Sequence, residues 1–155
     1  MILRRASLDD MPALARLHRH TVKTSLPFLP TLHSAEEEAW WFAESLFPAN
    51  EIWLAEDGGE PAGYIAFRPG FIEHLFIDPA RQNAGLGLAL LEKARGAYAE
   101  LSLWTFQENA KARRFYERHG FIAVTFTDGA DNEEQMPDVL YRWTRDAGAE
   151  PFVRV

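Results

Sequence analysis

Glu73-His74-Leu75-Phe76-Ile77-Asp78-Pro79-Ala80-Arg81-Gln82-Asn83-Ala84-Gly85-Leu86-Gly87-Leu88-Ala89-Leu90-Leu91 is the stretch on which the reading of this chain turns. Its first part is strand-like and stops at Asp78-Pro79. From Gly85 the apolar period becomes helical, with Gly87, Leu90, Leu91, Ala94, Ala97 and Tyr98 on one face. Glycines at such a strand-to-helix turn let backbone amides come close to a ligand, and a helix N-terminus favours negative charge. Gln82 to Leu88 are therefore expected to form a phosphate or pyrophosphate site. A tight turn and close helix packing would account for the same two glycines. Two better-known glycine motifs fail on spacing. Three residues after Gly87 stands Leu90, where a dinucleotide fingerprint needs Gly or Ala, and no Gly-Lys-Ser/Thr string exists for a P-loop.

Working outward, Ile2 to Ala6 reads as an edge strand. Ser7-Leu8-Asp9-Asp10 offers caps for a helix over 9–24, on which Leu14, Leu17, His18 and Thr21 share one face. Leu26 to Leu32 holds two prolines and reads as an unusually apolar loop. Ser34 with Glu37 forms a capping box for a second helix, which carries Trp40, Trp41 and Phe42 and is expected to stop before Pro48. Strands follow at 51–56 and 61–67, joined by an Asp57-Gly58-Gly59-Glu60 hairpin signal, and at 71–78. Beyond the glycine-rich helix come a strand at 101–106, a short helix at 109–119 closed by Gly120, and strands at 121–127 and 139–143. The order β-α-α-β-β-β-α-β-α-β-β predicts an α/β (α+β) fold with a mixed sheet.

A length of 155 residues suits one domain, here 1–145, with a loose tail at 146–155. The absence of cysteine excludes a disulfide scaffold, a thiolate nucleophile and a Cys-based zinc site, and no metal is expected. A net charge of -7 argues against a nucleic-acid partner and, weakly, for cationic small molecules. No stretch approaches the ~18 apolar residues of a membrane span. Charge follows the first three residues without a signal-peptide core, so a cytoplasmic location and no membrane partner are expected.

A second motif narrows the reading: Asn109-Ala110-Lys111-Ala112-Arg113-Arg114-Phe115-Tyr116-Glu117-Arg118-His119-Gly120-Phe121, following Leu103-Trp104-Thr105-Phe106. Taken with Gln82-x-x-Gly85-x-Gly87, it makes the chain resemble the GNAT superfamily of acetyl-CoA-dependent N-acyltransferases, over about residues 2 to 144. The resemblance implies a single-domain, mostly antiparallel sheet with a splayed central strand pair and helices on both faces. It implies acetyl-CoA as cosubstrate, with Leu75, Phe76 and Ile77 along the pantetheine arm. An amide near Leu75 would polarise the acetyl carbonyl, and Gln82, Asn83, Ala84, Gly85, Leu86, Gly87 and Leu88 would hold the pyrophosphate. Asn109 would contact the arm, and Tyr116 would also touch it and protonate the departing thiolate. Seven residues apart on a helix, these two share a face, and a phenol near pKa ~10 keeps its proton available. A core aromatic beside Phe115 is the plainer reading of Tyr116.

The family often has a basic residue just after the Gln; here stand Asn83 and Ala84. Positive charge near the loop then falls to Arg81, or to Lys111, Arg113 and Arg114, which read equally well as a solvated helix face. For the general base, Glu73 shares a strand face with Leu75, and an ordinary ion pair is its competing reading. Glu133 and Glu134 are second candidates. A small-molecule or peptide amine is the expected acceptor, bound near 26–32, Trp40-Trp41 and the acidic loop at 128–134. A homodimer is compatible with the chain. The alternative to catalysis is an acyl-CoA-binding sensor or regulatory module, which has no need of a proton donor at Tyr116.

Overall fold

The computed structural model describes residues 1–82 and 84–146. Asn83, one of the expected pyrophosphate contacts, and the tail at 147–155 lie outside them. The observed order is β1 (Ile2–Arg5), α1 (Met11–Ser25), α2 (Ala35–Trp41), a π-helical turn (Phe42–Leu46), α3 (Phe47–Ala49), β2 (Glu51–Asp57), β3 (Glu60–Arg68), β4 (Phe71–Ile77), α4 (Leu86–Ala97), β5 (Glu100–Phe106), α5 (Ala110–Arg118), β6 (Ile122–Phe126) and β7 (Asp138–Thr144). It follows the periodicities closely.

The chain falls into two compact units, residues 1–68 with 72–94, and 69–71 with residues from 95 onward. In the first, β1 pairs antiparallel with β2, and β2 with β3. Gly58 and Gly59 take φ 62° and 84° at the β2–β3 turn, which suits a tight hairpin that only glycine-like residues enter easily. β3 is buried without a break from Ala62 to Phe67, as a strand covered on both faces must be. On one side of this unit Met11, Leu14 and Leu17 of α1 meet Phe42, Leu46, Leu54 and Tyr64, with Phe76 of β4 packed against them. A second cluster joins Ala55, Ala62 and Leu86, with Ile77 against it. Phe76 and Ile77 thus serve different cores, so β4 keeps strict alternation at its end.

In the second unit β5 and β6 both pair antiparallel with β7, and Phe71, the first residue of β4, pairs in parallel with Ser102 of β5. The hydrogen-bonded order β1-β2-β3-β4-β5-β7-β6 is the expected mixed, mostly antiparallel sheet. Leu101, Leu103, Tyr116, Phe121, Val139 and Tyr141 are its buried side chains. Gly120 closes α5 at φ 90°, the conformation that selects glycine there.

One boundary differs from expectation. The second helix runs on past Pro48 instead of stopping before it. The π-helical turn makes this workable: Phe47 N donates to Phe42 O, five residues back, so proline enters where the ordinary i−4 ladder has already been left.

Gly63 in β3 lies against β4. A Cβ there would meet Ile77 Cδ1 at 2.6 Å and Phe76 O at 3.0 Å. Gly63→Ala is expected to push on this segment and lower the unfolding free energy by about 1–3 kcal/mol, measured by urea denaturation.

Candidate active site

The glycine-rich turn has the form needed for anion binding. Asp78 starts it, its side chain accepting from Ala80 N at 3.0 Å. Gly85 sits at φ 80°, and a Cβ there would meet nothing within 4 Å, so the backbone is open on that side. Ala89 N donates to Gly85 O at 3.1 Å. The N–H groups of Leu86, Gly87 and Leu88 therefore stand ahead of the helical ladder, where a helix of this length carries its positive end. Leu86 is anchored in the core, whereas Ala84 and Leu88 are exposed. These observations fit a pyrophosphate.

The side chains of the loop are otherwise engaged. Gln82 Nε2 donates to Ile77 O at 3.1 Å, tying the loop back to the end of β4. Arg81 pairs with Asp57 and Asp78, each at 3.2 Å. The basic charge that sequence places beside the loop is thus already matched by two carboxylates.

Leu75, Phe76 and Ile77 are half-buried and form the last three residues of β4. Glu73 receives Arg68 Nη1 at 2.9 Å. The ion pair that competes with a base role is therefore present.

His74, one residue on, enters a nest of rings. Its Nδ1 lies 2.9 Å from Tyr64 Oη. The His18 ring of α1 stacks on it, with centroids 4.9 Å apart and 4° between planes. Trp41, Phe42 and Phe76 surround the pair at 5.3–5.7 Å from His74. Burial pushes His18 down to about 4 from its usual 6.5. Burial and, secondly, the neighbouring His18 hold His74 well below its ordinary value, and burial raises Tyr64. Among the described residues, His18 Nδ1 and Thr21 Oγ1 are buried without hydrogen-bond partners. Sequence reasoning passed over this cluster. Its signal was the pair His18 and Thr21 on an otherwise apolar face of α1.

In the second unit Asn109 caps α5, its Oδ1 accepting from Ala112 N at 3.2 Å. Tyr116 is 7 % exposed and packs edge-on against Phe115 and Phe121. Burial raises its pKa further, so the phenol keeps its proton at any working pH. Arg113 donates to Tyr141 Oη at 3.0 Å, and Tyr141 donates to Glu117 at 2.6 Å, which binds this arginine into the protein instead of leaving it as a free cation. The acidic loop is built by hydrogen bonds: Asn132 Nδ2 donates to Met136 O at 2.6 Å, and the Thr127 hydroxyl donates to Asp138. Among the described residues no group of three or more His, Asp or Glu is arranged to hold a metal, and no helix is long and apolar enough to cross a membrane.

Comparison with known proteins places these features. The sequence model of the acetyltransferase (GNAT) domain matches residues 48–123. The chain is 30% identical to the probable N-acetyltransferase Rv2775 of Mycobacterium tuberculosis, covering 94% of each chain. It is 25% identical to the peptidyl-lysine N-acetyltransferase YiaC of Escherichia coli, over 92% of this chain and 96% of that one. Its fold matches the solved structure of yncA from Salmonella typhimurium with its cofactor acetyl-CoA, at TM-score 0.70, 18% identity and 94% coverage of each chain.

The buried imidazoles generate a stability prediction. Above pH 6.5 the His18 ring is neutral in native and unfolded states alike. Below it the unfolded ring takes a proton that the native ring refuses until about pH 4, so stability falls as pH drops through that window. Going from pH 7.5 to 5 should cost about 2 kcal/mol from His18 alone. Urea unfolding at the two pH values should show a shallower loss for His18→Phe.

Proposed function

The chain belongs to the GNAT acetyltransferase family and is an acyltransferase, and from that premise we propose that it moves an acetyl group from acetyl-CoA directly to a primary amine in a ternary complex. The observation that carries the cofactor half of this reading is the open, positive-φ turn at Gly85 ahead of α4. Backbone amides of Leu86, Gly87 and Leu88 bind the pyrophosphate, with Ala84 and Asn83 alongside. Gln82 acts from behind, holding the turn against β4. Backbone groups of Leu75, Phe76 and Ile77 hold the pantetheine arm, and the Leu75 amide faces the acetyl oxygen. Acetyl-CoA supplies an activated thioester carbonyl.

Asn109 steadies the arm from the start of α5. Tyr116 delivers the proton that the leaving sulfur requires. A raised phenol pKa makes that donation costlier, but it also ensures that the proton is present when needed. The acceptor is an amine, and the peptidyl-lysine activity named for YiaC supports a lysine side chain as its class. With no cysteine in the chain, a cysteinyl intermediate is excluded, which agrees with direct transfer. We place the whole activity in one domain, residues 1–145.

Acetyl-CoA at saturation is expected to raise the melting temperature, because it binds the native state alone. No shift would remove this reading. Gly85→Ala forces a left-handed backbone on a residue with a Cβ, at about 1–2 kcal/mol, and should weaken acetyl-CoA binding measured by calorimetry. Tyr116→Phe should lower kcat on a peptidyl-lysine substrate by about 10²-fold with little change in acetyl-CoA affinity. An unchanged kcat would remove Tyr116 as the acid.

A further inference from the structure

The direct-transfer reading leaves one proton unassigned. A primary amine is an ammonium ion at neutral pH and must shed a proton before its nitrogen can attack. Glu73 meets this need poorly. It is held by Arg68 at 2.9 Å, and strand alternation turns it away from the side on which His74 and Phe76 lie.

The side that His74 faces is built from α1, α2 and the π-helical turn, where ring after ring converges on one imidazole. π-helical turns inside α-helices are frequent at functional sites. Here the turn brings in Phe42, directly after Trp41, which itself stays 37% exposed at the rim. His74 is half-buried as a residue, and Tyr64 takes its Nδ1, which leaves Nε2 as the ring nitrogen for a substrate. Two polar atoms on the same face of α1, His18 Nδ1 and Thr21 Oγ1, are buried and unpartnered among the described residues. Buried polar atoms are normally paired, so these two have room for a polar partner, an ordered water or a ligand group.

We propose that His74 is the base that takes the acceptor's proton, with His18 stacked on it and Tyr64 at its Nδ1 acting as positioning residues. The inference rests on the amine-acetylation reading above. The step is as follows. The ammonium N–H gives its proton to His74 Nε2, and the Nδ1–H of the resulting imidazolium donates to Tyr64 Oη. The freed nitrogen lone pair forms the C–N bond to the acetyl carbon, and the C–S bond breaks with its electrons on sulfur. Tyr116 protonates the sulfur. The nitrogen's second proton reprotonates the phenolate through solvent, and the proton on His74 is released to water, one net proton per turnover.

Every charged or titratable group around His74 bears on its readiness. From α1 comes His18, whose parallel ring disfavours a second positive charge so close by. From α2 comes Glu38, paired with Arg19 at 3.2 Å; its carboxylate charge helps to keep the Tyr64 phenol protonated. From β3 comes Tyr64, kept as a neutral phenol by burial. Together they keep both imidazoles unprotonated at neutral pH, so His74 has a lone pair to offer, as a weaker base than a free imidazole but one quick to release the proton.

Two readouts test this. The first uses the wild-type protein without cofactor: ¹⁵N imidazole shifts of His18 and His74 followed from pH 8 to 4. Both rings should be neutral at pH 7, and His18 should stay so until the pH nears about 4; an imidazolium at either position at pH 7 would overturn the proposal. The second is kinetic. His74→Gln should lower kcat about 100-fold, remove the acid limb of the kcat/KM profile and leave the Kd for acetyl-CoA unchanged. His18→Phe keeps a stacked ring without its charge and should move that limb to higher pH. Glu73→Gln should cost less than tenfold. A 100-fold loss in Glu73→Gln beside near-normal turnover in His74→Gln would overturn it. Failure of the wild-type protein to bind acetyl-CoA would instead sink the acetyltransferase reading, while the imidazole shifts still report on the cluster by themselves.

Discussion

Successive side chains of a strand must point to opposite faces, and β4 puts that constraint to use. Phe76 belongs with His74 to the core under α1 and the π-helical turn, while Ile77 belongs to the core that Leu86 enters from the start of α4. The backbone between them is left to meet a ligand through its own N–H and C=O groups. The approach of β3 is close enough that a Cβ at position 63 would press on Ile77 and the carbonyl of Phe76. Gln82 then ties the glycine-rich turn to the carbonyl of Ile77, which links the start of α4 to the end of β4.

The charge pattern has a related logic. The chain carries 23 acidic and 16 basic residues, a field that opposes an anionic cofactor. The cations nearest the motifs do not offset it, because Arg81 is matched by Asp57 and Asp78, and Arg113 is engaged with Tyr141. In the proposed reading, pyrophosphate recognition falls mainly to backbone dipoles, whose strength depends on loop geometry and little on net charge.

Much of this was legible in the sequence because it is local. Gly85, Gly87 and Gly120 mark turns through backbone rules that act within a few residues, and the Ser34–Glu37 box forms as its spacing requires, with contacts of 2.8 and 3.1 Å. The continuation through Pro48 was not legible, since a π-helical turn arises from tertiary packing of Phe42 and Leu46 and has no spacing signature. The imidazole stack was hidden for a stronger reason. His18, Tyr64 and His74 come from one helix and two strands, and parity can say which way His74 points but not what lies over it. Conversely, Glu73 satisfied parity with Leu75, yet its pairing with Arg68 across the β3–β4 hairpin decides what its carboxylate does.

The central claim is that one strand and one helix start, both through backbone amides, receive the same ligand. Amide hydrogen exchange with and without acetyl-CoA measures this residue by residue. The account predicts added protection at two separate places, Leu75 to Ile77 and Leu86 to Leu88, at the same ligand concentration. Protection confined to exposed arginines and lysines, or absent from either backbone segment, would contradict it.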